Sequence, residues 1–106
     1  MAENMLTVKD VCRHVRSKNA GPFWITVDLF FDSEASYQRY RDSPAFAPGV
    51  FERLYGADPA RVKRFMLDNL KILKISYPRP HPQGWMHERD IHGGQQYVSL
   101  LSVAVD

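Results

Sequence analysis

Cysteine is almost missing from this chain: Cys12 is the single one in 106 residues, which excludes an internal disulfide and any multi-cysteine zinc site. No apolar run is long enough for a membrane span or a signal-peptide core, and the Met1 start is followed by polar "AENM". The simplest location is the cytoplasm. Neither sign of charge dominates, since fourteen Lys and Arg against twelve Asp and Glu leave a formal +2. The basic residues are spread along the chain rather than massed in a block, so nucleic acid and membrane are both set aside as partners. There is no internal repeat, no P-loop, no dinucleotide glycine motif and no Ser-His-Asp set.

A chain of this length and apolar content makes one domain, residues 1–106, with an ordered core over about 6–106. A domain this small buries a modest core, which favours association with other copies or other chains. In "TVKDVCRHVRSKN" Val8, Val11, Cys12 and Val15 share the i, i+3, i+4, i+7 stripe that predicts a helix over 8–17, with Thr7 as N-cap and Asp10 in a capping-box position. The period then changes. Phe23, Ile25, Val27, Leu29 and Phe31 alternate with Trp24, Thr26, Asp28 and Phe30, the pattern of a strand with one apolar and one mixed face.

Asp32 or Ser33 can cap a helix to about Arg41 with Tyr37 and Tyr40 inward, ended by Ser43-Pro44. Pro48 suits the first turn of another, striped by Val50, Phe51, Leu54 and Tyr55 and stopped by Gly56. In "RVKRFMLDNLKILKISYPRP" the turn chemistry of Asp68-Asn69 predicts a hairpin of 61–67 and 71–77 over a continuous helix. A Pro- and Gly-rich loop spans 78–97, and "YVSLLSVAVD" closes as a strand with Leu101, Val103 and Val105 on one face. The order predicts an α+β sandwich: an antiparallel sheet of about four strands with helices on one face.

Chemistry-bearing residues concentrate in two places. In "RSKNAG", Arg16, Ser17, Lys18, Asn19 and Gly21 combine two cations, a hydroxyl, an amide and a glycine within six residues. Such a turn binds a phosphate or carboxylate; the same residues equally serve a helix C-terminus, where cations complement the dipole and Gly21 takes a positive φ. Asp28 interrupts an apolar strand, so it is either solvated or buried against a cation, for which Arg16, Lys18 and Arg79 are available. In "DIHGGQQ", Asp90, Gly93, Gly94 and Gln95 form a turn or a second wall of the same site. His81, His87, Glu88, Asp90 and His92 show no recognised ligand spacing, so no metal is assigned, and no cofactor is identified. Cys12 reads as core rather than nucleophile.

The stretches "RSKNAGPFWITVDLFFD", "ERLYG", "KISYPRP" and "DIHGGQQYVSLL" together resemble the small bacterial proteins grouped as domain of unknown function 4387, from about Leu6 to Val105. More distantly they are similar to the C-terminal ferredoxin-fold segment of proteins like AtuA, the acyclic terpene utilisation protein. That likeness implies a ferredoxin-like sandwich, with Arg16, Ser17, Lys18, Asn19 and Gly21 in a first ligand turn and Asp90, Gly93, Leu100 and Leu101 in a second. It also implies an AtuA-like larger subunit as partner, in a two-component enzyme of organic-acid or acyl-CoA catabolism. The chain departs from the AtuA-like pattern in having "KNAGPF" in place of a more glycine-rich turn.

Three functions follow as expectations. The first is a small accessory subunit whose turn completes an interface site for a small carboxylate or acyl-CoA ligand, Arg16 and Lys18 holding the anion, Asn19 and Gln95 orienting it, and Asp28 fixing Arg16 or accepting a proton. The second is a stand-alone homo-oligomeric lyase or hydratase acting on a hydroxy acid, with Asp28 and His87 or His92 as its acid-base pair. The third is a non-catalytic oligomerisation module built on Trp24, Phe30 and exposed tyrosines.

Overall fold

A computed structural model describes residues 6–21, 23–79 and 100–105. Its centre is a four-stranded antiparallel sheet with three helices, the α+β arrangement expected. The elements are α1 (Val8–Val11), β1 (Cys12–Asn19), β2 (Trp24–Phe31), α2 (Glu34–Tyr40), α3 (Pro48–Tyr55), β3 (Lys63–Leu67) and β4 (Ile72–Pro78). The strands lie in the order β1-β2-β4-β3. The run β2-α2-α3-β3-β4 is therefore a split β-α-β unit, with β4 threaded between β2 and β3.

The helix predicted over 8–17 is a single turn followed by a strand. Asp10 does close that turn, its carboxylate accepting from the Thr7 backbone N–H at 2.8 Å and from the Thr7 hydroxyl at 2.9 Å. From Cys12 onward the chain pairs with β2 instead, Val15 opposite Leu29 and Arg16 opposite Asp28, with a bulge between Cys12 and His14. The same residues satisfy both periods: Val15 and Ser17 are buried while His14, Arg16 and Lys18 are exposed, a strand alternation inside an apparent helical stripe. From Cys12 onward strand pairing supplies hydrogen bonds and burial that β-branched Val15 favours over helix propensity.

β2 is central and decides the layering. Ile25, Val27, Leu29 and Phe31 are each no more than 1% exposed, beneath the helices and opposite Tyr77, Ile75 and Leu73 of β4. Phe31 meets Tyr37 and Phe46 edge-on, at centroid distances of 5.7 and 6.2 Å. Phe51 packs on Tyr77 at 5.3 Å, and Tyr55 stacks on Tyr77 at 5.0 Å. Each such side chain contributes roughly 1.5–3 kcal/mol by burial. Phe23, placed by alternation on the same face, lies instead in the turn before β2 and is 54% exposed.

The two later helices match their sequence signals. Ser33 caps α2 by accepting from the Ser36 N–H. Pro48 opens α3 and Gly56 ends it with φ +71°, its N–H donating to the Glu52 carbonyl. The β3–β4 hairpin also forms, its turn built from Asp68–Leu70 and Lys71 at φ +56°.

The closing strand is not formed over residues 100–105. Leu100 is fully buried and Val105 nearly so, but the segment makes one isolated bridge, Ala104 to Thr7. Backbone bonds from Val8 to Val103 and from Lys9 to Leu101 tie it to α1 instead. With Leu100 and Val105 in the core and the Ser43 hydroxyl donating to the Val105 carbonyl, the segment packs as a strap rather than as a strand. The loop predicted from 78 begins later, because β4 runs through Pro78 and the Arg79 N–H donates to the Phe23 carbonyl at 2.7 Å. Residues 80–97 lie outside the described residues.

Candidate functional site

The sheet has a second face, opposite the helices. Register places His14, Arg16 and Lys18 of β1, Trp24, Thr26, Asp28 and Phe30 of β2, Ile72, Lys74 and Ser76 of β4, and Lys63, Phe65 and Leu67 of β3 on that face. No described helix covers it. Cations from three strands thus share one surface, although in sequence they are scattered.

Asp28 is its anchor. The carboxylate is only 5% exposed, and its Oδ2 accepts from Arg16 Nε at 3.2 Å while Lys74 Nζ stands 4.0 Å from Oδ1. Oδ1 accepts no hydrogen bond among the described residues. A carboxylate this buried needs compensation, and two cations whose own side chains are 55% and 39% exposed provide it. The Arg16 guanidinium also lies 5.3 Å from the centre of the Phe30 ring, with Arg13 at 5.6 Å on the same ring. With Nε held by Asp28 and the side chain still 55% exposed, the guanidinium has N–H groups beyond Nε with which to meet a carboxylate or phosphate.

A second cluster lies along the same face. Arg61 and Lys63 approach the Trp24 ring at 5.2 and 5.3 Å. Ala20, Trp24, Lys63, Phe65 and Ser76 line a cavity of about 230 Å³. Thr26 Oγ1 and Ser76 Oγ lie 3.2 Å apart across the β2–β4 seam.

The residues singled out by sequence are divided by this geometry. Arg16, Lys18 and Asp28 come together on the face opposite the helices. Ser17 and Asn19 alternate to the helical face, where Ser17 is buried and Asn19 Oδ1 accepts from Arg79 Nη1. Arg79 therefore serves Asn19 rather than Asp28. Gly21 is in the β1–β2 hairpin turn at φ +89°, and a Cβ there would meet nothing within 4 Å, so its requirement is conformational. "RSKNAG" is thus the end of a strand plus a hairpin turn. The helix-dipole role for Arg16 and Lys18 falls away with the helix. Asp90, Gly93, Gly94 and Gln95, with His81, His87, Glu88 and His92, lie outside the described residues.

Lys74, Lys63 and Arg61 were not singled out by sequence. The signal for Lys74 existed only as alternation within "KILKISY", and Arg61 and Lys63 lie in "RVKRFML"; the meaning of both depends on β4 lying between β2 and β3. Cys12 is buried on the helical face, and burial, with Asp32 nearby, pushes its thiol up to about 12. It is a core residue, not a nucleophile. Among the described residues no three His, Cys, Asp or Glu side chains cluster as a metal would require, and no helix is long and apolar enough to cross a membrane.

These features define a small α+β domain that carries a cationic, aromatic sheet face around one buried carboxylate. The family model described as Domain of unknown function (DUF4387) matches residues 8–104, and the chain belongs to that family. No match to it was found among the curated proteins or the solved structures.

Proposed function

We propose that this chain is a small accessory subunit whose open sheet face supplies an anion-binding surface to a site completed by a larger subunit. The observation that carries this reading is Arg16, held by the buried Asp28 and beside the Phe30 ring while its side chain stays 55% exposed. A cation this restrained loses little freedom on meeting an anion. Lys18 and Lys74 on the same face add charge without adding a second carboxylate.

The partner is an AtuA-like protein, as the sequence resemblance implies, and the ligand a small carboxylate or acyl-CoA in organic-acid catabolism. The split β-α-β unit supports the ferredoxin-like half of that resemblance, with β1 taking the edge beside β2. Asp28 serves here as a positioning residue: it sits beneath Arg16 and is closed to a substrate proton.

Co-expression with the AtuA-like protein encoded beside it gives one co-eluting complex. Arg16→Ala leaves that complex intact and lowers its activity at least tenfold, mainly through KM. Two separately eluting species, or full activity with Arg16→Ala, refute the reading.

A further inference from the structure

β3 is the outermost strand, and all five of its residues are exposed. Phe65, Met66 and Leu67 are 48%, 38% and 37% exposed, and Leu70 in the following turn is 59% exposed. None of them joins the core cluster. Among the described residues β4 alone pairs with β3, in five consecutive register positions from Lys63 to Leu67 without a bulge. Edge strands are ordinarily blunted by proline, bulges or charge along their length. This one has charge only at its first two positions and is otherwise apolar on both faces.

The pattern of "KRFML" selects its own partner. Antiparallel pairing about a two-fold axis through Phe65 sets Lys63 opposite Leu67 of the partner subunit, Arg64 opposite Met66 of the partner subunit, and the two Phe65 rings together. No cation faces a cation. Parallel pairing would stack Lys63 on Lys63 and Arg64 on Arg64, which repel.

We propose that this chain forms a two-fold homodimer by antiparallel pairing of β3 with β3, giving one continuous eight-stranded sheet. Phe65 and Leu67 of the partner subunit then lie on the same face as the cavity lined by Trp24, Lys63, Phe65 and Ser76, and extend its wall across the seam. Arg16 is on β1, at the opposite sheet edge, and stays free in the dimer. A five-residue seam is small beside the roughly 800 Å² per partner of a standard interface, so the dimer dissociates at about micromolar concentration.

Sedimentation velocity of the full chain from about 1 to 100 μM detects this as a reversible monomer–dimer shift, in the range where such affinities are read. Phe65→Lys, a change outside the core that far-ultraviolet circular dichroism checks for folding, weakens the dimer at least tenfold. Arg16→Ala does not. Under mild oxidation Phe65→Cys crosslinks two chains at the axis while Leu70→Cys does not, and buried Cys12 gives little background. A monomer throughout the range, a dimer indifferent to Phe65→Lys, or protection of this edge only by a different protein overturns the proposal.

Discussion

Replacing Arg16 with alanine should cost more stability than replacing Asp28 with asparagine, although Arg16 is the more exposed of the two. The side chains are 55% and 5% exposed, joined at 3.2 Å. Arg16→Ala leaves a buried carboxylate with only Lys74, at 4.0 Å. Stripping a buried charge of its partner costs about 3–5 kcal/mol, and the remaining lysine reduces that to roughly 2–3 kcal/mol here. Asp28→Asn also loses a charge-assisted bond, but it removes the desolvation of the carboxylate and leaves two cations that water can reach. Its net cost is about 1 kcal/mol.

The double substitution should then lie near Asp28→Asn alone, with a coupling of about 2–3 kcal/mol, at the upper end for residues in direct contact. Urea melts at constant m-value measure this, and each kcal/mol appears as a fall in Tm of about 4–8 °C for a domain of this size. If Arg16→Ala stays within about 0.5 kcal/mol of the parent, as an isolated surface arginine would, or if the two changes simply add, the account of Asp28 as a buried anchor is wrong.

Alkaline rather than acidic titration should reveal the buried ionisable groups. Burial raises the Cys12 thiol and the Tyr55 phenol to about 12, so above their ordinary values the unfolded chain releases protons that the folded chain retains. Stability is therefore full below about pH 9 and declines toward pH 12; tyrosinate absorbance and circular dichroism should show Tyr55 ionising only with unfolding. Lys71 holds φ +56° without being glycine, so Lys71→Gly should raise stability by up to about 1 kcal/mol, read as a higher urea midpoint.

Much of the architecture was legible because its signals are local. Ser33, Pro48 and Gly56 mark helix ends through their own backbone and side-chain chemistry, and the turn at Asp68 and Asn69 separates two strands whatever lies around them. The alternation of Ile25, Val27, Leu29 and Phe31 gave β2 and its buried face. β1 was misread because Val8, Val11, Cys12 and Val15 fit a helical stripe while Val15 and Ser17 also fit a strand, and only pairing with β2 separates the two. The last strand was misread for a related reason: Leu101, Val103 and Val105 alternate, but over residues 100–105 the backbone bonds to Leu6, Val8 and Lys9 instead of to a strand of the sheet.

The site was legible in part. Arg16, Lys18 and Arg79 were each offered as the cation for Asp28 were it buried, and the cross-strand register selects Arg16. Lys74 and the Arg61–Lys63–Trp24 cluster were not, since they reach Asp28 and Trp24 across strands distant in sequence. Treating "RSKNAG" as one unit also failed in part, because strand alternation sends Arg16 and Lys18 to one face and Ser17 and Asn19 to the other.

The strand order carries a consequence for how the chain assembles. β1–β2 and β3–β4 are each adjacent in sequence, four residues apart, whereas the central β2–β4 seam must bridge residues 32–71. Closing a loop roughly tenfold longer costs only about 2 kcal/mol more, yet nothing across that seam exists until it closes. Arg16 meets Asp28 within a local hairpin, while Lys74 arrives from the other half of the chain. The carboxylate thus draws one counter-charge from a contact local in sequence and the other from one that closes a long loop, so the ion cluster spans both halves of the chain.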